Sequence, residues 1–274
     1  MFPVQYPNRP MNNPSAVAVV RRQLNTFLAA VMFLTRLHVG RLYQFRDEDA
    51  ASSVIYFPVV GALVGLAGGL ALLTAIVAPA FLAVLISMLV TICFTGALHE
   101  DGLADCADGL VGGQDPERRL EIMKDSRIGA YGALALWFSL TAKLILVQSV
   151  LALNLVLAIE TTVIAHCFGR TATVALLASL PYVRVEYSKS SRFGNKITPR
   201  QVAMVLVIAT ILSLLLLRFQ GLLCLGAAIA VTIVCGLYFK ARIGGITGDC
   251  LGATNQLVEL SAYLAVVALQ PVRA

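Results

Sequence analysis

The residues with the most chemistry to offer lie in one short stretch, His99-Glu-Asp-Gly-Leu-Ala-Asp-Cys-Ala-Asp-Gly109. Asp101, Asp105 and Asp108 stand at i, i+4 and i+7, so a helix through them carries all three on one stripe. Like charges at that spacing repel and weaken an isolated helix. A divalent cation removes the penalty. Carboxylate oxygens suit Mg²⁺, which binds through a few carboxylates, waters and substrate phosphates. Glu117, Glu121 and Asp125 repeat the pattern at four-residue steps. Two such stripes with glycines between them could supply a one- or two-metal phosphoryl-transfer site. The plainer alternative, a solvated helix end, suits Glu100 and Glu117. It suits the Asp101/Asp105/Asp108 set poorly, because Ala and Leu separate these acids and the stretch continues from an apolar run. His99 could be a ligand, a base or an interfacial side chain.

Two further motifs carry groups that could meet phosphate. In Met123-Lys-Asp-Ser-Arg-Ile-Gly-Ala-Tyr-Gly132, Lys124 and Arg127 follow the acids. They could clamp phosphate oxygens, Arg with a bidentate fork, or simply anchor a loop on the basic side of a membrane. In Gly244-Gly-Ile-Thr-Gly-Asp-Cys-Leu-Gly-Ala253, the glycines let backbone N–H groups approach an anion at a helix N-terminus. The Gly-Lys-Ser/Thr ending of a Walker A loop is absent, and Asp249 could reach a metal or act as a base. Lys143, Glu160, His166 and Arg170 lie inside apolar runs, where a charge needs a partner or a polar cavity. Arg170 lies near one end of its run and could reach substrate, while Lys143 could snorkel or pair with Glu160.

The elements that must position these groups are membrane helices. Of the 274 residues, 58% are hydrophobic and only 13% charged, with a mean hydropathy of +0.82. A soluble domain carries about a quarter charged residues, so the composition predicts an all-α, polytopic integral membrane bundle. Seven spans are expected, near 53–78, 80–98, 128–152, 154–180, 201–217, 221–239 and 253–269. Segment 24–39, interrupted by Arg36, reads as an N-terminal interfacial or re-entrant helix. Residues 1–23, with four prolines among Asn and Gln, read as a disordered tail ahead of a single membrane domain over 24–274. Nothing there has the form of a cleaved signal peptide. The six cysteines lack metal or redox spacing and read as packing residues.

The net charge of +6 is explained by where the basic residues fall. Connections 41–52, 99–127, 181–200 and 240–252 hold 13 of the 21 Lys and Arg, whereas the turns near 79, 153 and 218–220 hold only Arg218. The positive-inside rule puts the four basic connections in the cytoplasm, and nucleic-acid binding needs no separate hypothesis. A site built from these loops faces one compartment. A transporter would more often place its polar groups at the midplane in repeated halves, and no internal repeat is visible.

Together the three motifs resemble the cobalamin synthase (adenosylcobinamide-GDP ribazoletransferase) family. The pattern His-x-Asp-Gly-Leu-Ala-Asp-x-x-Asp-Gly at 99–109 is joined by Met-Lys-Asp-Ser-Arg-Ile-Gly at 123–129 and Gly-Gly-x-Thr-Gly-Asp-x-Leu-Gly-Ala at 244–253. Phe33-Leu-Thr-Arg-Leu and Tyr56-Phe-Pro-Val-Val-Gly61 are similar as well, so the likeness covers nearly the whole chain. Gln256 stands where the family is expected to carry an acid, while Glu259 fits. The resemblance implies that adenosylcobinamide-GDP and α-ribazole, or its 5′-phosphate, yield adenosylcobalamin or its phosphate plus GMP, with Mg²⁺. This would take place at the cytoplasmic face of the bacterial inner membrane. Set beside the spacing, it implies Asp105, Asp108, Glu121 and Asp125 at the metal and His99, Asp101 and Asp249 in catalysis. Lys124, Arg127, Arg170, Gly245 and Thr247 are then expected at substrate. A homo-oligomer, or a complex with other cobalamin-assembly enzymes, is compatible with it.

Two other readings stay in view. Asp105-x-x-Asp108-Gly109 with the later acids also resembles the CDP-alcohol phosphotransferases, although their Ala-Arg is replaced here by Gly112-Gly113. An ion-coupled transporter lined by Glu160, His166 and Arg170 is the alternative of a different class.

Overall fold

The computed structural model describes residues 16–40, 51–183 and 197–269. Ten α-helices are described: α1 (Ala16–Leu34), α2 (Phe57–Ala71), α3 (Ala80–Thr95), α4 (Leu98–Gly112), α5 (Pro116–Ile122), α6 (Ala130–Leu153), α7 (Leu155–Ser179), α8 (Pro199–Leu217), α9 (Phe219–Ile243) and α10 (Gly248–Ala268). Short 3₁₀ turns, Val54–Tyr56 and Leu72–Ile76, flank α2. Several helices begin at side-chain caps that satisfy otherwise orphaned N–H groups. Asp115 accepts from Arg118 N, Asn154 from Leu157 N and Thr247 from Cys250 N, while Thr198 and Gln201 form a reciprocal capping box.

Seven helical segments are long and apolar enough to cross a membrane, and the bent pair α3–α4 counts as an eighth. Six of the seven expected spans recur among them. The seventh does not run straight. α3 stops at Thr95, Gly96 and Ala97 adopt left-handed backbone (φ 66° and 58°), and α4 leaves at 86° to α3. That bend lays the acidic stripe across the end of the bundle instead of continuing it along a span.

The first helix also differs from expectation. It starts at Ala16, so residues 16–23 are helical, and residues 1–15 lie outside the described residues. Val17–Leu34 passes as a span by length and composition, yet both of its ends meet the same end of the bundle. Ala18 and Arg22 share a recess with Ser52 and Arg200, while Phe33 and Leu34 share one with Asp101 and Asp249. Phe33 stacks on Phe57 at 5.6 Å, and Phe27 meets Tyr56 edge-on, so α1 runs across the foot of α2.

The core is built around α7, which is buried on nearly all sides. Gly61, Gly65 and Gly69 form a stripe on α2 that lies against the α7 backbone at His166, Thr162 and Ile159 respectively. The pairing order runs opposite ways along the two helices, so they are antiparallel. Small residues at four-residue spacing permit this backbone-to-backbone approach. Gly102 on α4 does the same against α10, where an added Cβ would stand 3.2 Å from the Gly252 Cα. In that interface the Cys106 and Cys250 sulfurs meet at 3.8 Å, and all six cysteines are free, five of them buried as packing residues and Cys93 exposed.

Candidate active site

The bend after α3 and the glycine contact between α4 and α10 bring the first and third motifs to one recess of about 420 Å³. His99, Asp101 and Gly102 come from α4, and Gly248, Asp249 and Gly252 from α10. Thr173 enters from α7, and Phe33 to His38 close the opposite side. Asp101 is exposed and Asp249 half-buried, with Oδ2 of Asp249 accepting from the Thr247 hydroxyl at 3.3 Å. Because α10 begins at Gly248, the positive end of its dipole opens into this recess, where an anion is favoured.

A second recess of about 390 Å³ lies farther along α4, lined by Asp108, Glu121, Asp125, Arg118 and Arg127. Its acids are already engaged. Arg118 pairs with Glu121 one helical turn away. Arg127 donates to both oxygens of Asp125, at 3.0–3.1 Å through Nε and 2.6 Å through Nη2. Those hydrogen bonds hold the Asp125 carboxyl at about 2, below the usual carboxylate range, so it is an anion at every working pH. Lys124 is exposed beside them.

Asp108, expected at the metal, has a different first task. Its Oδ2 accepts from Gly129 N at 2.7 Å and its Oδ1 from Gly132 N at 2.8 Å. Gly129 is the N-cap of α6 and has no side chain with which to cap, so the buried Asp108 supplies that function from 21 residues away. This anchors the second motif to the first. Among the described residues, no three His, Cys, Asp or Glu side chains converge as a ready-made metal site. Asp105, half-buried on α4, lies one turn from Asp101 and one from Asp108.

Arg170 departs furthest from expectation. It is 1% exposed, and Nη1 donates to Glu259 Oε1 and to Asn255 Oδ1 at 3.1 Å, with His166 Nδ1 2.9 Å away. Nη2 faces His99 Nδ1 at 3.4 Å. Lys143 joins the same cluster through Glu259 Oε2 and Gln256 Oε1, both at 2.7 Å, and Gln256 Nε2 reaches Glu100 Oε1 at 3.1 Å. Arg170 is therefore held inside the bundle as a cation paired with Glu259. Glu160, the partner considered for Lys143, lies outside the cluster, and the three groups proposed to line a transport path do not form one. Arginine can only donate, so the His99 Nδ1 facing it is an acceptor, and a neutral ring then carries its proton on Nε2.

Gly245 and Thr247 also serve structure first. Gly245 lies against the Pro181 carbonyl, beside a short parallel bridge in which Ile246 N donates to Pro181 O and Val183 N to Ile246 O. Thr247 is fully buried as the α10 cap. Glu100, expected as a solvated helix end, is instead buried and accepts from Gln256. The sequence reading missed Asn255 and Gln256 as network members, because polar residues on an apolar helix show no partner in the sequence. It also missed Arg119, buried at 8%, which donates to the carbonyls of Gly113, Gln114 and Arg242 and ties the loop after α4 to the end of α9.

Comparison with known proteins agrees with the motifs. The family model for cobalamin-5-phosphate synthase matches residues 26–267. An adenosylcobinamide-GDP ribazoletransferase of Vibrio parahaemolyticus is 38% identical over 93% of this chain and 96% of its own length. One of Ralstonia nicotianae is 39% identical over 89% and 95%, and one of Vibrio cholerae is 37% identical over 92% and 96%. No solved structure matches. With the family model and these relatives matching over nearly its full length, the chain belongs to the cobalamin-5-phosphate synthase family.

Proposed function

We propose that this chain joins adenosylcobinamide-GDP to α-ribazole, or to α-ribazole 5′-phosphate, with release of GMP, at the recess walled by Asp101 and Asp249. The observation that carries this is the meeting of two motifs about 150 residues apart on one recess that opens onto a helix N-terminus. In the reaction the ribose hydroxyl oxygen bonds to the phosphorus attached to cobinamide. The bond from that phosphorus to the GMP oxygen breaks, and the hydroxyl proton passes to a carboxylate. Asp249 is the acceptor in the recess, while His99 can donate from Nε2 to a phosphoryl oxygen.

Mg²⁺ is proposed at the same place. Asp101 on this recess and Asp105 one turn along α4 would hold the ion through hard carboxylate oxygens. When bound, it offsets charge on the diphosphate. Glu121 and Asp125 hold Arg118 and Arg127 at the second recess, where those cations can meet the nucleotide end of the donor. These exposed pairs are weak enough to exchange partners. The excess of basic residues in the connections at this end supports an active site facing the cytoplasm of a bacterial inner membrane.

The test is a product assay with purified protein in liposomes. Adenosylcobinamide-GDP and α-ribazole should give equal amounts of GMP and adenosylcobalamin, and chelating Mg²⁺ should stop both. Asp101→Asn should lower turnover by about 10²-fold or more while leaving the amount of folded protein unchanged. CMP release from a CDP-alcohol instead of GMP release would replace this reading.

A further inference from the structure

The recess beside Asp101 and Asp249 has a second wall of different chemistry. Met32, Phe33, Leu34 and Leu37 come from the end of α1 and the segment after it, and Leu98 and Leu251 complete the apolar side. Met32, Leu37 and Leu98 are each more than two-fifths exposed, although the recess shields them from one direction. This wall is fixed in place. The Thr35 hydroxyl donates to Val31 O at 2.7 Å and accepts from Leu37 N at 3.2 Å, and Arg36 N donates to Phe94 O at 2.8 Å. The Phe33 ring is braced by Phe57. The Phe33-Leu-Thr-Arg-Leu motif thus ends as a preformed apolar surface opposite the acids.

We infer that this wall holds the base of the acceptor: the aromatic bicycle of α-ribazole lies against Met32, Phe33 and Leu37, with its ribose hydroxyls turned toward Asp101 and Asp249. The inference rests on the activity proposed above. Three bulky pieces of substrate compete for the recess, and their chemistry separates them. A guanine base presents several donors and acceptors that would go unpaired against Met, Leu and Phe side chains. A corrin macrocycle with its amide arms exceeds a recess of about 420 Å³. Dimethylbenzimidazole has two methyl groups, a large π-face and one free ring nitrogen, which suits a Phe, Met and Leu surface. The polar wall opposite then meets the part of the acceptor that reacts. The end of α1 is therefore a specificity element for the acceptor and not for the nucleotide donor.

The test uses the full chain in liposomes with Met32→Gln and Leu37→Gln, two exposed positions that leave the core intact, and Phe33→Ala as a third variant. With the donor saturating, the KM for α-ribazole should rise about tenfold in each, with kcat and the KM for adenosylcobinamide-GDP unchanged. The preference for α-ribazole over an α-riboside carrying a purine should narrow in the Gln variants. Equilibrium dialysis of α-ribazole against the protein, without donor, should show the same weakening. A rise in the donor KM with the acceptor KM unmoved would overturn the assignment, as would unchanged acceptor binding by dialysis in all three variants. Failure of the wild-type protein to release GMP, with α-ribazole still retained and Leu37→Gln weakening it, would count against the proposed reaction and leave the base-binding wall standing.

Discussion

Asp108 and Glu259 are both buried carboxylates, but their tasks differ. Asp108 accepts two backbone N–H groups at the start of α6. Asp108→Asn keeps the shape but turns an amide NH₂ toward one of those donors. It should lower stability by about 1–3 kcal/mol, the cost of a buried polar group left unmatched. Thermal unfolding in detergent should show this loss at any Mg²⁺ concentration, whereas a metal ligand's variant would lose its stabilisation by Mg²⁺ and nothing else. Glu259 is fully buried and is shared by Lys143, His166 and Arg170. Removing its charge in Glu259→Gln leaves two buried cations uncompensated, which costs about 3–5 kcal/mol when one partner of a buried pair is lost. The folded fraction recovered from membranes should fall sharply. Asp125→Ala, which breaks only an exposed pair, should leave it close to wild type.

At the scale of elements, the polar stripe works because α4 lies close on α10. A Cβ on Gly102 would stand 3.0 Å from the Asp249 carbonyl oxygen, and backbone cannot move aside as a side chain can. Gly102→Val should therefore push α4 away from α10, parting Asp101 from Asp249. Overpacking of this kind costs about 1–3 kcal/mol, and turnover should drop further than stability because the recess loses its geometry. Comparing the thermal midpoint with turnover, for Gly102→Ala and Gly102→Val in turn, checks this. Much of this arrangement was legible in the residues themselves. Apolar runs marked six of the spans, and four-residue spacing put the acids on one stripe. The bend at Gly96 and Ala97 was hidden because Thr95 to Leu98 remain apolar enough to continue a span. The burial of Arg170 was hidden because periodicity does not say that α7 is enclosed on every side. The separation of the acids into two recesses depends on which atoms Asp108 bonds, 21 and 24 residues away, and spacing within one helix carries no such information.

For the whole molecule, charge distribution and packing point to one asymmetry. The links that organise the polar end all join segments at the basic side: Arg119 to the end of α9, Arg242 to the end of α4, and Ile246 to the end of α7. The opposite end has tight turns such as Pro79 between α2 and α3 and Asn154 between α6 and α7. Long hydrophobic helices hold these ends apart across the hydrocarbon, about 30 Å thick. A bundle like this has one orientation in which its basic connections need not cross the membrane. A version with its native cysteines replaced, carrying Ser126→Cys or Ala241→Cys, should resist an impermeant maleimide applied to intact cells and react once the membrane is opened. Ala78→Cys and Asn154→Cys should react in intact cells. Labelling of Ser126→Cys from outside would put both recesses in the wrong compartment for a cytoplasmic nucleotide donor. Labelling of Ser126→Cys without Ala241→Cys would contradict the fold itself, because the Arg119–Arg242 link requires both connections on one side.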